Sequence, residues 1–265
     1  MLSNIFLKTL RDQRNSLRWW SIGIVLYAGF IVGLYPAFED ALLDIVESYP
    51  EDIAKFLGLE DTSEFATPAG FLNAELFGVM MPILFIVFAV ASGSGAIAGE
   101  EESGTMETLL SEPVTRRRLA LEKFASMLVT TAGLALVLWV TVAVGSFIVG
   151  MDVGLVYVAA ATASLTLLGI VFGSLAFAIG SITGRRGRSV GVSAGAAIVT
   201  YLLDVVSRIV EVLEPAKWAS PFFYYNGHNP LANGLNFWHT AVLLGTIMLT
   251  GIAALVSFQR RDVRL

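Results

Sequence analysis

Few residues in this chain carry groups that make or break bonds, and what is missing narrows the chemistry. Cysteine is absent and only two histidines occur, His228 and His239. Disulfides, thiolate metal sites, cysteine nucleophiles and a three-histidine metal centre within one chain are therefore excluded. No Gly-x-x-x-x-Gly-Lys-Ser/Thr motif occurs; Gly184-Arg-Arg-Gly-Arg-Ser189 is glycine-rich and basic but lacks the lysine and the spacing that cradle a nucleotide, and it reads as a turn. No Ser/His/Asp or paired-carboxylate arrangement brings two reactive groups together on one face. The chain is expected to be no enzyme and to hold no metal or cofactor of its own. What remains is charge used for position: the pair Asp204 and Arg208, four residues apart in an apolar run, and one dense stretch, Ala98-Gly-Glu-Glu-Glu-Ser-Gly-Thr-Met-Glu-Thr-Leu-Leu-Ser-Glu-Pro-Val-Thr-Arg-Arg-Arg118.

In that stretch Glu100, Glu101 and Glu102 follow an apolar run directly, and Ser103-Gly104 lets the chain turn. Met106, Leu109 and Leu110 recur at i, i+3, i+4, which predicts a short helix over Thr105–Ser111 with one apolar face. Pro113 ends it and Thr115 is placed to cap the next helix. Arg116, Arg117 and Arg118 oppose the positive end of that helix, so anionic headgroups or a partner's carboxylates must favour them. Such a helix either inserts into a groove on another protein or rests on the bilayer, and periodicity does not choose between the two.

The elements that position these residues follow from composition. Of 265 residues, 55% are hydrophobic and 15% charged, against about 25% charged in a soluble domain; mean hydropathy is +0.72. Six apolar runs near 19–37, 76–98, 124–149, 155–182, 190–210 and 238–258 each reach the roughly 20 residues of a transmembrane helix, giving one all-α polytopic membrane domain over 1–265. Fourteen of the seventeen Lys and Arg fall in 1–18, 99–123, 183–189 and the C-terminal tail, which puts both termini in the cytoplasm by the positive-inside rule. Segment 38–75 carries ten acidic residues and is expected to be an outer acidic loop, either a solvated face or a cation-attracting vestibule. The net charge of −5 gives no footprint for nucleic acid.

Residues 1–18 place Lys8, Arg11, Arg14 and Arg18 on one helical sector and Leu2, Ile5, Phe6, Leu10 and Leu17 opposite. That is the pattern of an N-terminal interfacial helix, with Trp19 and Trp20 at headgroup level, or of a plain basic flank. Met81-Pro82 predicts a kink in the second span, and Gly169-x-x-x-Gly173 a close helix approach in the fourth. Asp204 and Arg208 read either as an intrahelical pair near the outer interface or as residues lining a pathway or subunit interface. Residues 211–237, with Phe222 and Tyr224 at their centre, are aromatic and too broken to span; they fit an outer re-entrant hairpin or an aromatic belt.

Glu100-x-x-x-Gly104-Thr105-Met106-Glu107-x-Leu109-Leu110-x-x-Pro113-Val114-Thr115-Arg116 resembles the signature of ABC-2 type transporter permeases, the membrane subunits of ATP-binding-cassette exporters. The layout of the chain is similar to that family over nearly its whole length, although segment 38–75 is longer than in the simplest members. The resemblance implies that Thr105–Ser111 is a cytoplasmic coupling helix docking on a separate ATPase subunit, which would hold ATP and Mg. It implies that Glu100, Gly104 and Thr105 position that helix and that Pro113 to Arg116 lead into the third span. It further implies that 211–237 sits at the outer end of the pathway. A six-helix subunit is too small to enclose a wide path alone, which favours a homodimer in the cell membrane, surrounded by membrane lipid. Export of a substrate driven by the partner's ATP hydrolysis is the expected function. The alternative is an ABC-type membrane protein that transmits ATPase work to an extracytoplasmic partner without moving a solute.

Overall fold

The computed structural model describes residues 5–48, 67–106 and 114–261, whose regular elements are all helices, with no strands among the described residues. In chain order the helices are α1 (Ile5–Ser48), α2 (Pro68–Leu72), α3 (Met80–Ser94), α4 (Glu100–Glu102), α5 (Arg116–Val149), α6 (Leu155–Thr183), α7 (Arg186–Ile209), α8 (Pro221–Asn226), α9 (Pro230–Asn233) and α10 (Phe237–Arg260). Single π-helical turns occupy Asn73–Phe77 and Gly95–Gly99, and a 3₁₀ segment spans Glu211–Ala219. Six helices are long and apolar enough to cross a membrane.

Helix α6 is the centre. It packs against α3, α5, α7 and α10, and α1 packs on the outside of α5. Inside a bilayer lipid tails are as apolar as leucine, so helix association depends on close fit. The fit is closest where α3 crosses α6. A methyl group added at Gly173 would meet the Ala89 Cβ at 2.9 Å and its carbonyl oxygen at 3.0 Å, and one added at Gly93 would strike the Gly173 backbone. The small residues expected to allow close approach therefore do so. Leu26, Phe147, Ile148, Met248 and Leu249 are exposed on the outside of the bundle, as lipid-facing side chains require.

Four expectations need correction. First, no separate interfacial helix exists in the described residues: α1 is continuous from Ile5 through the predicted boundary at 18/19 and past residue 37 into the acidic segment. Nothing between Arg14 and Trp20 breaks a helix, so the hydrogen-bond ladder continues. Its first turn is covered by protein, with Ile5 and Thr9 buried, and Trp20 turns inward to make an edge contact with Phe88 at 5.7 Å while Trp19 stays exposed. Second, Pro82 does not kink the second span. It lies in the first turn of α3, where its missing N–H costs nothing, and the break falls earlier, at Gly78-Val79, where Val79 has φ −133°. Third, the acidic segment is not all loop: it begins as the end of α1 and closes with α2, while 49–66 lie outside the described residues. Fourth, the basic turn is only Gly184-Arg185, since α7 starts at Arg186.

Between α7 and α10, the 3₁₀ segment, α8 and α9 fold back onto the bundle. Ser220 caps α8 by accepting from the Phe222 N–H at 3.2 Å, and its hydroxyl donates to the Thr200 carbonyl at 2.8 Å. Asn236 caps α10, accepting from the N–H groups of Trp238 and His239 at 2.9 and 3.2 Å.

Candidate functional site

The candidate site lies at the end of the bundle that holds both Ile5 and Arg261. Each residue of an α-helix is turned about 100° from the last, so three consecutive glutamates at a helix end fan out in three directions. Each finds a different helix. The Glu100 carboxylate accepts from the Lys123 ammonium of α5 and from the Thr105 hydroxyl. Glu101 pairs with Arg261, just past the end of α10. Glu102 accepts the backbone N–H of Arg186 at 2.8 Å, satisfying the first turn of α7. Arg116, in the first turn of α5, closes the ring by donating to the Arg261 carbonyl at 2.7 Å. The base of the second span is thus tied to the third, fifth and sixth.

The turn that follows is built by Gly104, whose φ of +73° lies in the left-handed region that glycine adopts without strain. Its N–H reaches the Glu101 carbonyl at 3.2 Å and the Ser103 N–H reaches that of Gly99 at 3.1 Å, so the left-handed glycine closes the helix end. The reversal brings Thr105 back over Glu100, where its hydroxyl also donates to the Glu100 carbonyl at 3.3 Å. Met106 then enters a second apolar cluster with Ile5, Ile97, Leu119, Phe177 and Phe258 and is 2% exposed. Met106 therefore anchors the segment to the chain's own bundle. Thr115 caps α5 as expected, accepting from the Arg118 N–H at 3.3 Å. Glu107, Leu109, Leu110 and Pro113 lie outside the described residues.

The sequence places Glu100, Glu101 and Glu102 together but does not identify Lys123, Arg186 and Arg261 as their partners. The available signal is that consecutive charges closing an apolar helix cannot share one face, so they point toward different surroundings. Glu122 is a further case. It accepts from the Arg118 guanidinium at 2.7 Å and from the Phe6 N–H of α1 at 3.0 Å, so it caps the first turn of α1 from another helix.

The second group of expected residues lies at the opposite end. Arg208 donates twice to one Asp204 oxygen, at 3.1 and 2.9 Å, as i, i+4 spacing predicts. Asp204 is buried, Arg208 is half exposed, and the other Asp204 oxygen has no hydrogen-bond partner. Phe222 and Tyr224 share α8 but not surroundings. Phe222 packs on Phe172 and Tyr201 and lines an apolar cavity of about 360 Å³ between α3 and α7, walled by Pro82, Ile83, Ile86, Ile198 and Tyr201. Tyr224 donates to the Trp218 carbonyl at 2.8 Å and sits edge-on to His239. The structure does not bring Asp204 into the cavity that Phe222 lines. Tyr225 is fully buried; burial pushes its phenol well above the ordinary value, and the retained proton is donated to the Phe77 carbonyl at 2.7 Å. The His228 and His239 rings stand 6.2 Å apart, and no group of three metal-ligating side chains forms among the described residues.

The family model described as "ABC-2 family transporter protein" matches residues 3–263. The probable ABC transporter permease protein NosY of Stutzerimonas stutzeri is 28% identical over 155 residues, 55% of this chain and 53% of NosY, so the alignment spans about half of that relative. The family match covers nearly the whole chain, whose described residues include six helices long and apolar enough to cross a membrane, and the chain belongs to the ABC-2 family.

Proposed function

We propose that this chain is the permease subunit of an ABC exporter and that residues 105–111 receive the movement of a separate ATPase, which binds ATP and Mg. One observation carries the reading: the segment leading into 105–111 is held by three successive carboxylates to α5, α7 and the end of α10. A displacement of the segment by a docked ATPase reaches three spans at once. The basic end then faces the cytoplasm, with both termini, and the chain works in the cell membrane as a homodimer in which each copy docks one ATPase.

The test is affinity purification from native membranes. An ABC ATPase subunit is expected to co-purify with the wild-type chain and to be lost from Leu109→Arg, while the variant itself still purifies as a folded membrane protein. Retention of the ATPase by Leu109→Arg overturns the coupling assignment. Reconstitution with the recovered ATPase separates the two outputs: ATP-dependent movement of a solute into proteoliposomes marks an exporter. ATP-dependent capture of an extracytoplasmic partner without solute movement marks the transmission role and overturns export.

A further inference from the structure

Among the described residues, cations at the two ends of the bundle are treated differently. At the end away from Ile5, Arg208 and Lys217 each pair with an acid. At the end holding Ile5, Arg11, Arg14 and Arg18 of α1 are exposed and have no hydrogen-bond or ion-pair partner among the described residues. Arg188 of α7 and Arg260 of α10, at the same end, are exposed and unpaired in the same way. Like charges one helical turn apart repel each other, so the three arginines of α1 gain from an anion that the described part of the chain does not supply.

On α1 those arginines lie on one face, at i, i+3 and i+7. The same face continues to Ile22 and Val25, which are 47% and 45% exposed. No break in the helix separates the two groups, so the face that meets lipid tails is the face that carries the arginines. Along the axis Arg18 stands about 6 Å from Ile22 and Arg14 about 12 Å, at 1.5 Å per residue. The headgroup layer of one leaflet is about 5–8 Å deep. Arg18 therefore falls inside that layer, Arg14 falls at its edge, where a long side chain reaches back, and Arg11 stands one turn farther out. Trp19 beside Arg18 is exposed as well, at the level where indole is favoured. The pattern repeats at the same end of the bundle: Arg188 precedes exposed Val192 and Val199 on one face of α7, and Arg260 follows exposed Ile252 and Val256 on one face of α10.

We propose that the Arg11, Arg14 and Arg18 face of α1 binds the headgroups of anionic phospholipids in the leaflet at this end, with the tails of the same lipids against Ile22 and Val25. Guanidinium groups one turn apart each present a planar fork of donors that matches phosphate oxygens. Net charge decides which lipid is held. A glycerol headgroup leaves its phosphate charge uncompensated, whereas a choline headgroup carries its own cation, which three guanidinium groups repel. Asp12 is the single acidic residue between Ile5 and Trp20 and is outnumbered on this face. The site needs only a chain embedded in a bilayer and does not rest on ATPase docking.

The experiment is native mass spectrometry of the purified full chain with equal amounts of phosphatidylglycerol and phosphatidylcholine of matched acyl chains. The glycerol lipid is expected to be retained roughly tenfold over the choline lipid at low salt, and by less as salt is added. The double variant Arg14→Gln with Arg18→Gln is expected to lose most of that preference with no change in unfolding temperature, since both side chains are exposed. Lysine at both positions is expected to keep it. Arg117→Gln with Arg185→Gln removes the same charge from exposed positions at the same end but off the α1 face, and is expected to keep it too. Equal retention of the two lipids by the wild type overturns the proposal. An equal loss in both glutamine pairs overturns it in favour of diffuse net charge. Wild-type lipid preference in Arg14→Gln with Arg18→Gln, together with loss of a co-purifying ATPase, overturns it in favour of a protein partner on this face.

Discussion

The two ends of this bundle are fastened by different chemistry. At the end holding Ile5 and Arg261 the long-range ties are charged: Glu100 to Lys123, Glu101 to Arg261, Glu102 to the Arg186 N–H and Glu122 to the Phe6 N–H. At the opposite end neutral hydroxyls donate to backbone carbonyls: Tyr225 to Phe77, Ser164 to Tyr225, Ser220 to Thr200 and Tyr27 to Glu75, at 2.7 to 3.0 Å. A hydroxyl aimed at one carbonyl has a single good geometry. A carboxylate has two oxygens and several lone pairs and exchanges partners at modest cost where water can reach it. The first end is held mainly by charge, and the second by neutral bonds of fixed geometry.

The largest effect that sharpens this contrast is Glu101→Ala. Its carboxylate is 4% exposed and the Arg261 side chain 19%, so removal strands a mostly buried guanidinium at a cost of about 3 kcal/mol. The expected result is a clear fall in the unfolding temperature of the detergent-solubilised protein, and Glu101→Gln, which keeps the shape but not the charge, is expected to recover only part of it. Next is Tyr225→Phe, which leaves the Phe77 carbonyl without its donor and costs about 2 kcal/mol. This loss is expected to be the same at low and high salt, whereas added salt weakens the charged ties wherever water reaches them. A loss in Tyr225→Phe that changes with salt would break the contrast between the ends. The smallest effect is Lys217→Ala. Its partner Glu214 is solvent-exposed, so no measurable change in unfolding temperature is expected.

The sequence carried some of this arrangement and not the rest, for physical reasons. The spans were readable because hydropathy over about 20 residues is a strong signal. Thr115 and the Asp204–Arg208 pair were readable because caps and i, i+4 pairs are local. The fate of Met106 was not, since a periodic apolar face shows that something will cover it but not whether that cover is the chain's own bundle or another protein. Helix α1 was divided for a similar reason: a change from amphipathic to apolar pattern at residue 18 marks a change of surroundings, not a break in the backbone. The Glu100–Glu102 fan joins residues 23 to 160 positions apart, and no local pattern encodes such pairings.

Helix α1 has one more consequence. At 1.5 Å per residue its 44 residues measure about 66 Å, while a bilayer with its headgroups is about 40–45 Å thick. The helix is thus about 20 Å longer than the bilayer is thick. A helix of that length reaches beyond the hydrocarbon layer, so the polar residues at its two ends, from Lys8 to Arg18 and from Glu39 onward, need not lie in lipid tails.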